Sequence, residues 1–107
     1  MTIAVNPKLG VADVPGFRVA ALTCGLKRSG RRDLGLIASD TACTAAGMFT
    51  ANKVCAAPVK HSRAALVKTK GRVRAILINA GNANCCTGAR GRAAAAACAK
   101  LVAKGIG

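Results

Sequence analysis

The chain has 107 residues, 52% of them hydrophobic, and its 17 Lys and Arg face only three acids, for a formal net charge of +14. That length suits one domain and excludes two, while the apolar fraction excludes a disordered chain, which lacks the surface needed to offset chain entropy. So lopsided a charge brings strong self-repulsion and is the electrostatic footprint of a nucleic-acid binder, so a small basic nucleic-acid-binding protein is one reading to weigh.

From the N-terminus to Pro15 the sequence has no clear period, and Asn6, Pro7 and Lys8 stand where a secretory leader needs an apolar core. Phe17 to Leu26 reads as a short apolar strand, and Lys27 to Asp33 as a basic, glycine-containing turn. Leu34 to Ser39 resumes the β pattern, so the two runs predict a hairpin. A third strand is expected from Ala46 to Thr50, with a turn at Asn52-Lys53. Pro58 then argues against any helix running through it. Ser62 is the expected cap of a short helix whose apolar face is Ala64, Ala65, Leu66 and Val67 and whose end lies between Lys68 and Gly71.

Val73 to Ile78 is apolar on both alternating faces after Arg74, the pattern of a buried central strand. It runs into the small-residue loop Asn79-Ala80-Gly81-Asn82-Ala83-Asn84, and Thr87 precedes the longest helical pattern of the chain. At 100° per residue Ala94, Ala95, Cys98, Leu101 and Val102 fall in one arc and Arg92, Lys100 and Lys104 in the opposite one, which predicts an amphipathic helix closed by Gly105 at its C′ position.

Only Phe17 and Phe49 are aromatic. At roughly 25 cal/mol per Å² an alanine-rich interior contributes little per residue, so the core should be thin and the chain should read as a single partial domain that gains contacts from further polypeptide. The same shortage weighs against a nucleic-acid module, because single-strand and RNA readers stack bases on aromatic rings and the two Phe sit in apolar runs. The cysteines, at 24, 43, 55, 85, 86 and 98, form no Cys-x-x-Cys pair, and His61 is the sole histidine, so no zinc site is expected. Reduced thiols packed as small apolar groups, and a surface His61, are the expectation.

The strand-to-helix loop is the candidate site. Small residues and asparagines let its backbone turn sharply and approach a partner, and free amides at the following helix start can receive an anion. It is neither a Walker A loop nor a dinucleotide fingerprint. Read as a string, Asn79 to Gly88 resembles the Asn-Ser-Gly-Asn-Ala-Asn-Ala-Cys-Thr-Gly segment of the ornithine acetyltransferase family, the bifunctional ArgJ proteins. Gly16-Phe17-Arg18 resembles that family's opening strand and Ser29-Gly30-Arg31-Arg32-Asp33-Leu34 its first turn. Ala46 to Val54, with Ala57-Pro58-Val59, resembles its next signature, in matching order and spacing. Departures stand at Ala80, Cys85 and Ala89, where serine, alanine and an acidic or amide residue are usual.

The resemblance implies an α/β fold of layered sheet and helices, of the autoprocessing ornithine acetyltransferase type, with only its N-terminal part present. It implies an enzyme that cuts itself to expose a threonine, which takes acetyl from N-acetylornithine and passes it to glutamate in arginine biosynthesis. No metal or resident cofactor is implied, and acetyl-CoA enters only as a substrate of bifunctional members. The family's Thr-Gly-Val-Ile-Gly oxyanion segment and Asn-Met-Ala-Thr-Met cleavage site do not occur in the 107 residues, so no catalytic residue is expected in this chain. Asn79, Gly81, Asn82, Asn84, Thr87 and Gly88 are then candidates for a wall of the substrate site, or for holding the turn by hydrogen bonds. The implied partners are the remainder of the enzyme and the two amino-acid substrates, in the cytoplasm and without a membrane.

Overall fold

The computed structural model describes residues 6–107. After a 3-10 turn at Val11–Asp13 come strand β1 (Phe17–Leu22), strand β2 (Leu34–Thr44), helix α1 (Ala57–Lys68), strand β3 (Arg72–Asn79) and helix α2 (Gly88–Ile106). The aperiodic opening thus contains one short turn, and its first five residues lie outside the described ones. The mixed α/β class expected from the sequence holds, as a three-stranded antiparallel sheet with two helices.

The predicted hairpin is β1 against β2, in register from Phe17 opposite Ser39 to Leu22 opposite Leu34. β1 stops at Leu22, short of Leu26, because the following turn folds around Asp33, whose N–H donates to the Leu22 carbonyl at 3.1 Å. β2 runs past Ser39 to Thr44 by means of an irregularity between Ala38 and Cys43 that lets it keep pairing with β3. Buried Ser39 spans that irregularity, its Oγ donating to the Arg74 carbonyl at 3.2 Å while Arg74 Nε donates to the Ser39 carbonyl at 3.2 Å.

The strand order is β1-β2-β3, so β3 is an edge strand and not the buried central one that its composition suggests. The hairpin places β1 on one side of β2, and the chain returns through α1 to the free side. Leu22 and Leu77 on one face and Val19, Ile76 and Ile78 on the other stay 38–55% exposed. The β3 pattern records two faces that favour burial, and the described residues cover them only in part.

No strand forms at Ala46–Thr50. That segment docks on α1 through side chains instead. The Arg63 guanidinium lies 5.3 Å from the Phe49 ring centroid and donates to the Thr50 carbonyl at 3.0 Å. Helix α1 begins at Ala57, five residues before the expected cap, and Ser62 is an interior residue. Pro58 is accommodated because it falls in the first turn, where a backbone N–H has no intrahelical partner to lose. The end falls where expected: Lys70 and Gly71 take positive φ, and Gly71 N donates to the Leu66 carbonyl at 2.8 Å.

Helix α2 begins after Thr87 as expected, but Gly105 lies inside it and Gly107 is the cap. Its half-buried stripe is Ala95, Ala99, Val102 and Ile106. Ala95 and Val102 were in the expected arc, whereas Ala94, Cys98 and Leu101 turn outward, Leu101 being 70% exposed. The expectation of packed thiols likewise fails for Cys24, Cys85, Cys86 and Cys98, all exposed. His61 is half-buried on α1 where a surface position was expected.

The thin core is evident. Among the described residues the buried hydrophobic ones are Ala38 and Ala57, and no large side chain is fully enclosed. The accessible surface is 8474 Å², against about 5500 Å² for a compact monomer of this mass. The radius of gyration is 15.4 Å, against about 13 Å for a compact chain of this length.

Candidate functional site

All six candidate residues fall in one segment, from Asn79 at the end of β3, through the loop, to Gly88 at the start of α2. At its start the Asn79 side-chain amide donates to the Asn82 carbonyl at 2.7 Å, and at its centre the Asn82 side-chain oxygen accepts from Asn84 N at 2.8 Å. Both are short-range side-chain bonds that stand in for backbone pairing in a turn. Gly81 has φ +96°, and a Cβ there would stand 2.8 Å from the Leu26 carbonyl oxygen. Only glycine suits that position, by backbone conformation and by space alike.

Asn84 is the hub. Its backbone takes a left-handed φ of 49°, a conformation asparagine tolerates better than most residues. Its side-chain amide donates to the Gly91 carbonyl at 2.9 Å, and its side-chain oxygen accepts from Thr87 Oγ1 at 2.5 Å. Its own carbonyl accepts from Ala57 N at 3.1 Å. One residue thereby joins the first turn of α2 to the N-terminus of α1, which has no side-chain cap of its own. Gly91 is buried beneath this knot, and Gly88 turns the chain into α2 with φ +61°.

The loop also rests on the basic turn before β2, through Asp33, a residue that the sequence reading did not single out. Its carboxylate accepts from Cys24 N at 2.7 Å and from Lys27 N at 2.9 Å, and its carbonyl accepts from Ala80 N at 2.9 Å. The two backbone amides of Cys24 and Lys27 favour the anion and hold its pKa down at about 2. Asp33 is only 3% exposed. A lone acid closing a run of Lys27, Arg28, Arg31 and Arg32 was the available signal. With Gly81 seated against Leu26 and Lys27, this basic turn forms one border of the loop.

Chemically, the loop is a braced support. Asn79, Asn82, Asn84 and Thr87 all direct hydrogen bonds into the loop itself, and the described residues contain no cluster of three or more His, Cys, Asp or Glu that could hold a metal ion. Two shallow hollows lie elsewhere. One of about 300 Å³ lies between the sheet and the end of α2, beside Leu36, Ala38 and Ile106, and one of about 440 Å³ beside Phe49, Arg63 and Leu66. No described helix is long and apolar enough to cross a membrane.

Comparison with known proteins places these features. The ArgJ family model matches residues 18–107. The arginine biosynthesis bifunctional protein ArgJ of Thermosynechococcus vestitus is 50% identical over 98 residues, covering 92% of this chain and 23% of that protein. The same-named protein of Shouchella clausii is 48% identical over 84 residues, covering 78% and 20%. Among solved structures, the ornithine acetyltransferase of Mycobacterium tuberculosis complexed with ornithine matches with a TM-score of 0.74 and 44% identity, over 82% of this chain and 45% of that one. The ArgJ protein of Bacillus halodurans matches with a TM-score of 0.73 and 38% identity, over 79% and 44%. The chain therefore spans between a fifth and a quarter of the length of these curated relatives.

Proposed function

Because the chain belongs to the ArgJ family, we propose that it supplies the N-terminal part of a glutamate/ornithine N-acetyltransferase of arginine biosynthesis. In this reading the complete enzyme cuts itself to free a threonine hydroxyl, and that threonine lies outside the 107 residues. The hydroxyl attacks the acetyl carbonyl of N-acetylornithine, ornithine leaves, and the acetyl-threonine ester is then opened by the amine of glutamate. No metal or resident cofactor takes part, and acetyl-CoA is a second acetyl donor if the enzyme is bifunctional. The reaction belongs in the cytoplasm, with the biosynthetic step that the relatives' names indicate.

This chain's own contribution is structural. Its sheet is the floor on which the remaining polypeptide docks, covering the half-exposed Val19, Ile76 and Ile78, and the Asn79–Gly88 loop is a braced wall beside the substrate site. The excess of about 3000 Å² of accessible surface over a compact chain supports a single partial domain completed in this way. A nucleic-acid partner has only the net charge in its favour, and charge alone specifies no sequence or structure.

The observation that carries the reading is the 44% identity and 0.74 TM-score shared with the ornithine-bound acetyltransferase. The test is a chimera in which residues 1–107 replace the matching segment of the Thermosynechococcus vestitus protein. Mass spectrometry should find two chains, and the product should move acetyl from N-acetylornithine to glutamate. A folded chimera without transfer, beside an active parent, overturns the proposal.

A further inference from the structure

Adjacent residues of an extended strand send their side chains to opposite faces, so neighbouring cysteines ordinarily hold their sulfurs apart. In the loop before α2 the backbone abandons that alternation. Asn84 and Cys86 both take left-handed φ, 49° and 57°, and the Sγ atoms of Cys85 and Cys86 lie 3.8 Å apart. Both residues are exposed. We propose that Cys85 and Cys86 form a reversible dithiol–disulfide site whose oxidant is a small-molecule disulfide of the glutathione type. The proposal is independent of the acetyl-transfer reading, since it rests on the two sulfurs alone.

The steps balance as ordinary thiol–disulfide exchange. The Cys86 thiolate attacks one sulfur of the small disulfide, forming a mixed disulfide and expelling one thiolate. Cys85 then gives up its proton and attacks the Cys86 sulfur, which breaks the mixed bond, forms the Cys85–Cys86 bond and expels the second thiolate. Two protein thiols lose two electrons and two protons, and the small disulfide becomes two thiols. The order follows from the pair itself. While both sulfurs are free, the hydrogen bond to Cys86, with the charge of that sulfur, raises the Cys85 thiol above its ordinary value, so Cys85 keeps its proton while Cys86 attacks and gives it up once that charge is gone into the mixed disulfide.

Ring closure brings the sulfurs from 3.8 Å to about 2.05 Å. Adjacent Cα atoms are about 3.8 Å apart across a trans peptide, below the separation of about 4.4–6.8 Å usual for disulfides, so the closed ring is strained and readily reduced. A reducing compartment therefore keeps the dithiol, and an oxidising episode closes it reversibly. Closure reshapes the backbone between Asn84 and Thr87, the two residues that knot α2 to α1.

The sequence permits a clean experiment, because the tryptic peptide between Arg74 and Arg90 contains Cys85 and Cys86 and no other cysteine. The full chain is treated with oxidised glutathione, residual thiols are alkylated, and the peptides are weighed. The expected product is a peptide lighter by two hydrogens, with neither cysteine alkylated, that returns to the dithiol with a reductant. A Cys85→Ala chain should halt with one glutathione on Cys86. Two independently glutathionylated or alkylated cysteines in the wild-type peptide would overturn the proposal, as would a bond from Cys85 or Cys86 to any other cysteine.

Discussion

Replacing Gly91 with alanine sets two physical effects against each other. Intrinsic helix preference alone makes Gly→Ala inside a helix favourable by about 1 kcal/mol. The structure opposes that gain, because a Cβ on Gly91 would overlap Thr87 Oγ1 and Cβ and Asn84 Oδ1. Making room means giving up the Thr87–Asn84 and Asn84–Gly91 hydrogen bonds, at about 1 kcal/mol each. It also displaces the carbonyl that receives Ala57 N at the start of α1. The net effect should be a loss of about 1–2 kcal/mol, or a fall in Tm of about 4–8 °C for each kcal/mol in a domain of this size. Gly105 is the internal control. It lies in the same helix with nothing within 4 Å of the added carbon, so Gly105→Ala should stabilise by about 0.5–1 kcal/mol. Urea midpoints by far-UV circular dichroism, at unchanged m, measure both. Equal stabilisation by the two substitutions would refute the description of the loop as a tight knot.

Gly81→Ala should destabilise by about 1–3 kcal/mol from backbone strain alone and further from its contact with the Leu26 carbonyl. Gly30→Ala, at φ +68° with open space around it, should show only the strain, and thermal melts of the two should separate the effects. Asp33 has a folded pKa of about 2 against an ordinary 3.8. Its contribution is therefore complete above about pH 3.8 and fades as the pH falls toward about 2, and Asp33→Asn should flatten that limb of an acid titration of stability. Ile76→Ser on the half-exposed edge strand should change the stability of this chain by no more than about 0.5 kcal/mol. In the chimera the same substitution should cut the yield of cleaved, active enzyme.

Several elements were legible because they depend on local chemistry. The β1–β2 hairpin follows from two apolar runs around a glycine turn, and α2 follows from alanine content with Thr87 before it. The string from Asn79 to Gly88, with the signatures upstream, carried the family. Other features were not local. Pro58 obeys one rule inside a helix and the opposite one in its first turn, and only the position of Asn84, 26 residues away, whose carbonyl receives Ala57 N, shows which applies. Ala46 to Thr50 has strand-like residues, yet its partner is the α1 side chain Arg63, and no periodicity encodes that.

The sequence by itself determined which stretches are apolar enough to favour burial, where the chain turns, and to which family it belongs, since side-chain period, glycine placement and motif order are properties of neighbours along the chain. Tertiary structure alone decided that β2 is central and β3 an edge, that Asp33 clasps the basic turn, and that Asn84 knots the two helices. The physical reason is that burial and hydrogen-bond pairing belong to pairs of distant residues. A strand with two apolar faces records a demand for cover, and only the arrangement in space shows how much of that cover these residues provide.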